Sequence, residues 1–256
     1  MARRWVAYAL VAVCSSAKLC APALAQTRAV VELFTSQGCS SCPAADKLLG
    51  ELAIDPSLIA ISVPIDYWDY LGWKDTLAEP RNTARQKAYA RVRGDGQVYT
   101  PQAVVNGSVH ALGSDKDAIE RAIAETRSTV SLLPVTLAFA DRRIDLAVPE
   151  GTIGSAGAEV WLCGLMKTAT IAIGRGENKG RTVTYHNVAR RWVKLGDWTG
   201  HAKSWSVPMQ GLVGNGIDEV VLLLQGGTNE KPLAILGAAL AAPALIGKAM
   251  IPLSNP

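Results

Sequence analysis

The stretch Glu32-Leu33-Phe34-Thr35-Ser36-Gln37-Gly38-Cys39-Ser40-Ser41-Cys42-Pro43 decides how the first half of this chain is read. It follows directly on Ala29-Val30-Val31, so residues 29–34 form a short apolar run suited to a buried strand. Thr35 to Gly38 then make a polar turn, and two cysteines follow, separated by two residues. Proline is tolerated only in the first turn of a helix, so Pro43 fixes a helix start. The predicted helix spans Ala44 to Ala53, with Leu48, Leu49 and Leu52 on one face, and Asp55-Pro56 ends it. Two cysteines at this spacing can close a small disulfide ring with little backbone movement.

Outward from this stretch, Leu58 to Ile65 reads as a second strand. An aromatic connection follows, Asp66-Tyr67-Trp68-Asp69-Tyr70-Leu71-Gly72-Trp73. Thr83 to Arg93 is a predicted helix, Gln102 to Asn106 a strand closed by the hairpin signal Asn106-Gly107, and Asp115 to Arg127 a helix with an Ile119/Ile123 stripe. Alternating strands and helices to about residue 128 indicate an α/β domain. Beyond Thr129 the texture changes to short strand candidates with glycine-rich turns: 135–140, 144–148, 159–165, 168–173, 181–188, 204–209, 219–225 and 233–240. These predict an all-β, sandwich-like domain over residues 129–256. Gly174-Arg175-Gly176-Glu177-Asn178-Lys179-Gly180 lies between two strand candidates and reads as a hairpin turn, since a phosphate loop would have to open a helix.

Residues 1–25 have the anatomy of a secretion signal: Arg3-Arg4, an apolar run from Trp5 to Val13, and Ala23-Leu24-Ala25 before a cleavage point at Gln26. The run falls well short of the roughly 20 residues a spanning helix needs, so a periplasmic or secreted protein free of the membrane after cleavage is expected. The leader also explains the charge. The chain holds 26 basic and 22 acidic residues; without Arg3, Arg4 and Lys18 the balance is 23 to 22, a net of +1. No basic stripe with interleaved aromatics remains, which argues against nucleic-acid binding. Of five cysteines, Cys14 and Cys20 leave with the leader, and Cys163 reads as a buried, inert thiol on a strand. Three cysteines are no disulfide scaffold; a close pair plus a distant single looks like chemistry with a leftover.

A helix N-terminus carries unpaired N–H groups and the positive end of the helix dipole, which stabilise a thiolate on the first cysteine. Cys39 is therefore the expected nucleophile and Cys42 the resolving thiol, with protein thiols or disulfides as partners. Ser40 and Ser41 add hydroxyl donors. Other readings stay open: a purely structural disulfide, or a non-enzymatic module that either holds Cu(I) on the Cys39 and Cys42 thiolates or serves protein interaction on the same fold. Half a zinc site is disfavoured, because no second Cys pair supplies the remaining ligands and His110, His186 and His201 show no metal spacing. No cofactor beyond the redox-active disulfide is expected.

These residues resemble the thioredoxin superfamily, and more closely the exported family catalogued as domain of unknown function 1223. The resemblance rests on residues 32–43, on Asp66 to Trp73, on Val98-Tyr99-Thr100-Pro101-Gln102 and on Gly180 to Val188. It implies a thioredoxin-like domain over residues 26–128, a mixed sheet flanked by helices, with the β-rich region appended. It also implies a cis Thr100–Pro101 bond opposite the dithiol, so that Pro101 and Thr100 shape a groove. The aromatic residues of Asp66 to Trp73, Tyr67 and Trp68 among them, either form a rim beside the dithiol or pack the connection. Glu32 occupies nearly the place of the buried acid that assists the second cysteine in many thioredoxins, one position further from the dithiol; a solvated or salt-bridged glutamate is the open alternative. Where the family carries a histidine shortly before the Asp-Tyr-Trp-Asp segment, this chain has Pro64-Ile65, so no role of that histidine carries over.

Overall fold

The structure, a computed structural model, describes residues 27–129 and 131–243. The expected leader, with Cys14 and Cys20, lies outside those residues. The chain order is β1 (Ala29–Thr35), α1 (Cys42–Leu52), β2 (Leu58–Pro64), α2 (Pro80–Arg93), β3 (Gln102–Val105), β4 (Val109–Leu112) and α3 (Lys116–Thr129). There follow β5 (Thr136–Ala140), β6 (Arg143–Val148), β7 (Ala158–Ala172), β8 (Thr182–Trp198), β9 (Lys203–Pro208), β10 (Glu219–Thr228) and β11 (Lys231–Ala241).

β1 and β2 run parallel and every residue of both is buried, as expected of strands covered on two faces. The period-two alternation of side chains sorts β1 cleanly. Ala29, Val31 and Leu33 pack with Leu48, Leu49 and Leu52 of α1 and Ile119 and Ile123 of α3. Val30 and Phe34 point the other way, into a cluster with Tyr89 of α2. Beside β1 on its other edge lies the antiparallel β3–β4 hairpin, turned at Asn106 and Gly107, both at positive φ.

A large mixed sheet of eight strands results, in the order β11-β10-β7-β8-β2-β1-β3-β4, with a second, antiparallel sheet β5-β6-β9. The expected separation at residue 128 is bridged within the large sheet. β8 pairs in parallel with the free edge of β2 at Ser62 and Val188, so β7, β8, β10 and β11 extend the same sheet. The cluster around Val30 and Phe34 accordingly mixes both halves of the chain, taking in Leu165, Trp192, Val221 and Ile235. The smaller sheet packs on the distal part of the large one: Ile144, Leu146 and Val148 of β6 meet Val160, Leu162, Val220 and Leu222 of β7 and β10.

Two strands are longer than their sequence pattern predicts. β7 runs unbroken through Met166 and Lys167, and β8 continues past Val188 to Trp198. A register shift between Gly164 and Leu165 interrupts the alternation there, which is why the pattern reads as two strands.

Candidate functional site

The N-terminus of α1 lies at the end of β1, where the turn from Ser36 to Ser41 brings the chain round. Cys39 and Cys42 are joined by a disulfide with their Cα atoms 5.4 Å apart. Backbone bonds close the turn: Cys39 donates to the Ser36 carbonyl (3.2 Å) and Cys42 to that of Cys39 (3.2 Å). Pro43 stands in the first turn of α1, as its missing N–H allows. The Ser41 hydroxyl lies 3.4 Å from Cys39 Sγ. Both sulfurs are nearly sealed, Cys39 2% exposed and Cys42 not at all.

Trp68 and Thr100 lie beside this turn. The Thr100–Pro101 bond is cis, and the Thr100 hydroxyl accepts a 2.7 Å hydrogen bond from the Trp68 indole. Trp68 in turn lies against Gly38, where any Cβ would fall 3.0 Å from that of Trp68; the residue before Cys39 must therefore be small. Pro101 and Ala45 of α1 both crowd the position of Gly113, 3.0 and 3.3 Å from where its Cβ would be, which sets Pro101 beside the first turns of the helix. Tyr67 is half-buried, and Tyr70 stacks on Trp68 with its ring exposed.

Glu32 is placed elsewhere. It points to the α2 side of the sheet, away from α1, and is fully buried. There it accepts two hydrogen bonds from Arg85 (2.7 and 3.0 Å) and one from the Tyr89 hydroxyl (2.6 Å). It is the salt-bridged glutamate of the two alternatives. Cys163 is fully buried, and burial raises its thiol pKa, so it stays protonated.

The acid on the dithiol side is Asp46, which the sequence reading passed over. It lies four residues after Cys42 and so on the same face of α1, a spacing legible from the sequence. The side chain is 1% exposed. Its Oδ1 accepts from the Thr35 hydroxyl at 2.7 Å, and its Oδ2 has no partner among the described residues. Burial pushes the carboxyl up to about 8; the Thr35 hydrogen bond offsets this in part, and neighbouring Asp75 adds to it. Asp75 is itself raised by burial, although Gln37, Leu77 and Ala78 each donate a backbone N–H to it.

A second group missed from the sequence is the tip of the β7–β8 hairpin, which folds over the dithiol turn. Buried Asn178 donates from Nδ2 to the carbonyls of Gln37 (2.9 Å) and Cys39 (2.7 Å). The Glu177 carboxylate accepts from the Ser40 N–H at 3.3 Å. Trp73 packs against Gly174 and donates to the Gln37 side chain at 2.8 Å. The second half of the chain thus supplies the cover of the site. Among the described residues no group of three or more His, Cys, Asp or Glu side chains gathers as a metal site would.

The residue pattern of the family described as "Protein of unknown function (DUF1223)" matches residues 30–225. A crystal structure of an Agrobacterium tumefaciens protein from a structural genomics programme is similar to the chain at 31% identity and a TM-score of 0.76, covering 87% of this chain and 97% of that one. A structure of HBP35 of Porphyromonas gingivalis shares the fold at 11% identity and a TM-score of 0.58, over 90% of this chain and 80% of that one. No curated protein matches the chain.

Proposed function

The chain belongs to the DUF1223 family, whose description gives no activity, and from that premise we propose that it is an exported, thioredoxin-like thiol–disulfide oxidoreductase acting through Cys39 and Cys42. One observation carries the reading: a disulfide at the start of a helix stands beside a cis X-Pro bond, with the buried carboxyl of Asp46 one helical turn behind the second cysteine. The strand order β2-β1-β3-β4, with α1 and α3 on one face and α2 on the other, supports a thioredoxin-like first half. Export rests on the anatomy of residues 1–25.

In the oxidised protein, a substrate thiolate attacks Cys39 Sγ. The Cys39–Cys42 bond breaks and the electron pair leaves on Cys42, which Asp46 protonates. A second substrate thiolate then attacks the mixed disulfide at the substrate sulfur, releasing Cys39 as a thiolate. The substrate dithiol is oxidised by two electrons and the protein disulfide reduced by two. In the reverse direction, ionised Asp46 takes the proton from Cys42 as that thiol attacks to resolve the mixed disulfide. Because Cys39 is sealed, a protein partner reaches it only when the β7–β8 tip moves aside. The exposed Tyr70 and the Trp68 edge then form the adjoining surface.

Replacing Cys39 by Ser is expected to abolish oxidation of a model dithiol peptide and reduction of a model disulfide; undiminished turnover overturns the proposal. The reduction potential of the pair decides the direction. A value near roughly −270 mV marks a reductant, and one towards about −120 mV an oxidant.

A further inference from the structure

On the far side of the sheet from the dithiol, α2, β7, β8 and the β10–β11 turn line a cavity of about 310 Å³. Its size falls at the lower end of small-molecule sites, roughly 300–1,000 Å³. Helical spacing builds one wall. Arg81, Arg85 and Arg91 lie along one stripe of α2, and Ala84 and Ala88 between them leave the space that longer side chains would fill. Trp161 of β7 and Trp192 of β8 line the cavity opposite.

The charge here is not balanced from within. Arg85 and Arg81 both lie over the Trp192 ring, 4.7 and 5.9 Å from its centroid, so two like charges share one aromatic face. Glu32 neutralises Arg85 from behind, taking Nε and Nη2, the latter also donating to Tyr89 and Gln225. The remaining nitrogen, Nη1, has no protein partner among the described residues. Arg85 lines the cavity. Arg81 gives one N–H to the Trp192 carbonyl (3.1 Å), which carries no charge to offset its own. Nearby Glu79 pairs with Arg190 at 3.6 Å. The carboxylate lining the cavity belongs to Glu230, which is exposed and screened by water.

We propose that this cavity binds a small organic anion, its carboxylate or phosphate held among Arg81, Arg85 and Arg91 and its flat apolar body against Trp161. Planar guanidinium groups match both head groups with paired hydrogen bonds, and indole rings favour a flat partner. The site is independent of the dithiol reading, since it lies on the opposite face of the sheet.

The test titrates full-length oxidised protein with phenyl phosphate, benzoate and inorganic phosphate by calorimetry. At least one aryl anion saturates the protein with one-to-one stoichiometry and binds more tightly than inorganic phosphate; which aryl anion binds more tightly identifies the head group. Arg91→Gln and Arg81→Gln each weaken it about tenfold or more, the equivalent of about 1.4 kcal/mol per tenfold. Arg91 is exposed on the last turn of α2, so its variant keeps the fold and the comparison stays valid even if Arg81→Gln is destabilised. The proposal is overturned if neither aryl anion saturates, if inorganic phosphate binds as tightly as phenyl phosphate, or if Arg91→Gln leaves the affinity unchanged.

Discussion

Asp46→Asn is expected to make the protein more stable at neutral pH while making it a poorer catalyst. The folded carboxyl sits at about 8 against an ordinary 3.8, because it is buried with one oxygen unpartnered. Between those values the native state holds a proton that the unfolded chain has released, so stability falls as pH rises. The contribution is complete below pH 3.8 and is lost by the time pH passes 8. Each unit corresponds to about 1.4 kcal/mol, so by pH 7 the loss is on the order of 4 kcal/mol, against about 2 kcal/mol at pH 5. Asparagine keeps the shape and the acceptor for Thr35 but does not titrate. Its gain over wild type should therefore grow from near zero at pH 4 to several kcal/mol at pH 7. For a chain of this size that is about 10 °C in Tm. Urea unfolding of both oxidised proteins at pH 4, 5, 6, 7 and 8 measures the difference directly. If the two stabilities run parallel across that range, Asp46 does not carry the buried proton and its place in thiol exchange falls with it. The same variant should slow dithiol oxidation, because the thiolate leaving on Cys42 loses its proton donor. Opposite signs on stability and turnover would separate this role from a purely structural one.

Asn178→Ala removes both bonds that tie the hairpin tip to the Gln37 and Cys39 carbonyls. It should lower global stability by about 1–3 kcal/mol while speeding reduction of the disulfide by dithiothreitol about tenfold. An unchanged reduction rate, measured by quenched-flow alkylation, would mean that the tip does not control access. Gly50→Ala in α1 ought to help a helix by about 1 kcal/mol on propensity alone. Its Cβ, however, would stand 2.6 Å from His186 Cδ2 and 2.8 Å from Nε2 on β8, so a net loss of about 1–3 kcal/mol is expected by thermal unfolding. Stabilisation by this change would contradict the packing of β8 on α1.

What could be read from the sequence was what is encoded locally. The turn from Thr35 to Pro43, the Asn106-Gly107 hairpin and the helical stripe of Ile119 and Ile123 are set by residues within a few positions of one another. Their elements lie where the pattern puts them, within a residue or two. Contacts between distant segments were not readable. Nothing near Ser62 announces Val188 as its neighbour, and the partnership of Glu32 with Arg85 spans 53 positions. The side of the sheet that Glu32 faces follows from strand alternation, yet which helix covers that side does not. Asp46 could have been found by counting one turn from Cys42. Asn178 could not, because a hairpin tip carries no signal for what it folds onto. The strands after residue 129 were recognisable, apart from the two candidates that are both β7, but the joining of β8 to β2 was not.

That pairing has a kinetic side. β2 stands in the middle of the large sheet, and one of its two flanking strands comes from far along the chain. Until β8 arrives, an early-formed first half presents an open strand edge and an uncovered apolar face around Val30, Ile59 and Ile61. Closing such a long loop is entropically slow, and contacts of this range dominate the folding time of mixed sheets. A chain whose first half formed first would hold the turn around Cys39 without the hairpin tip that binds its backbone through Asn178 and Glu177.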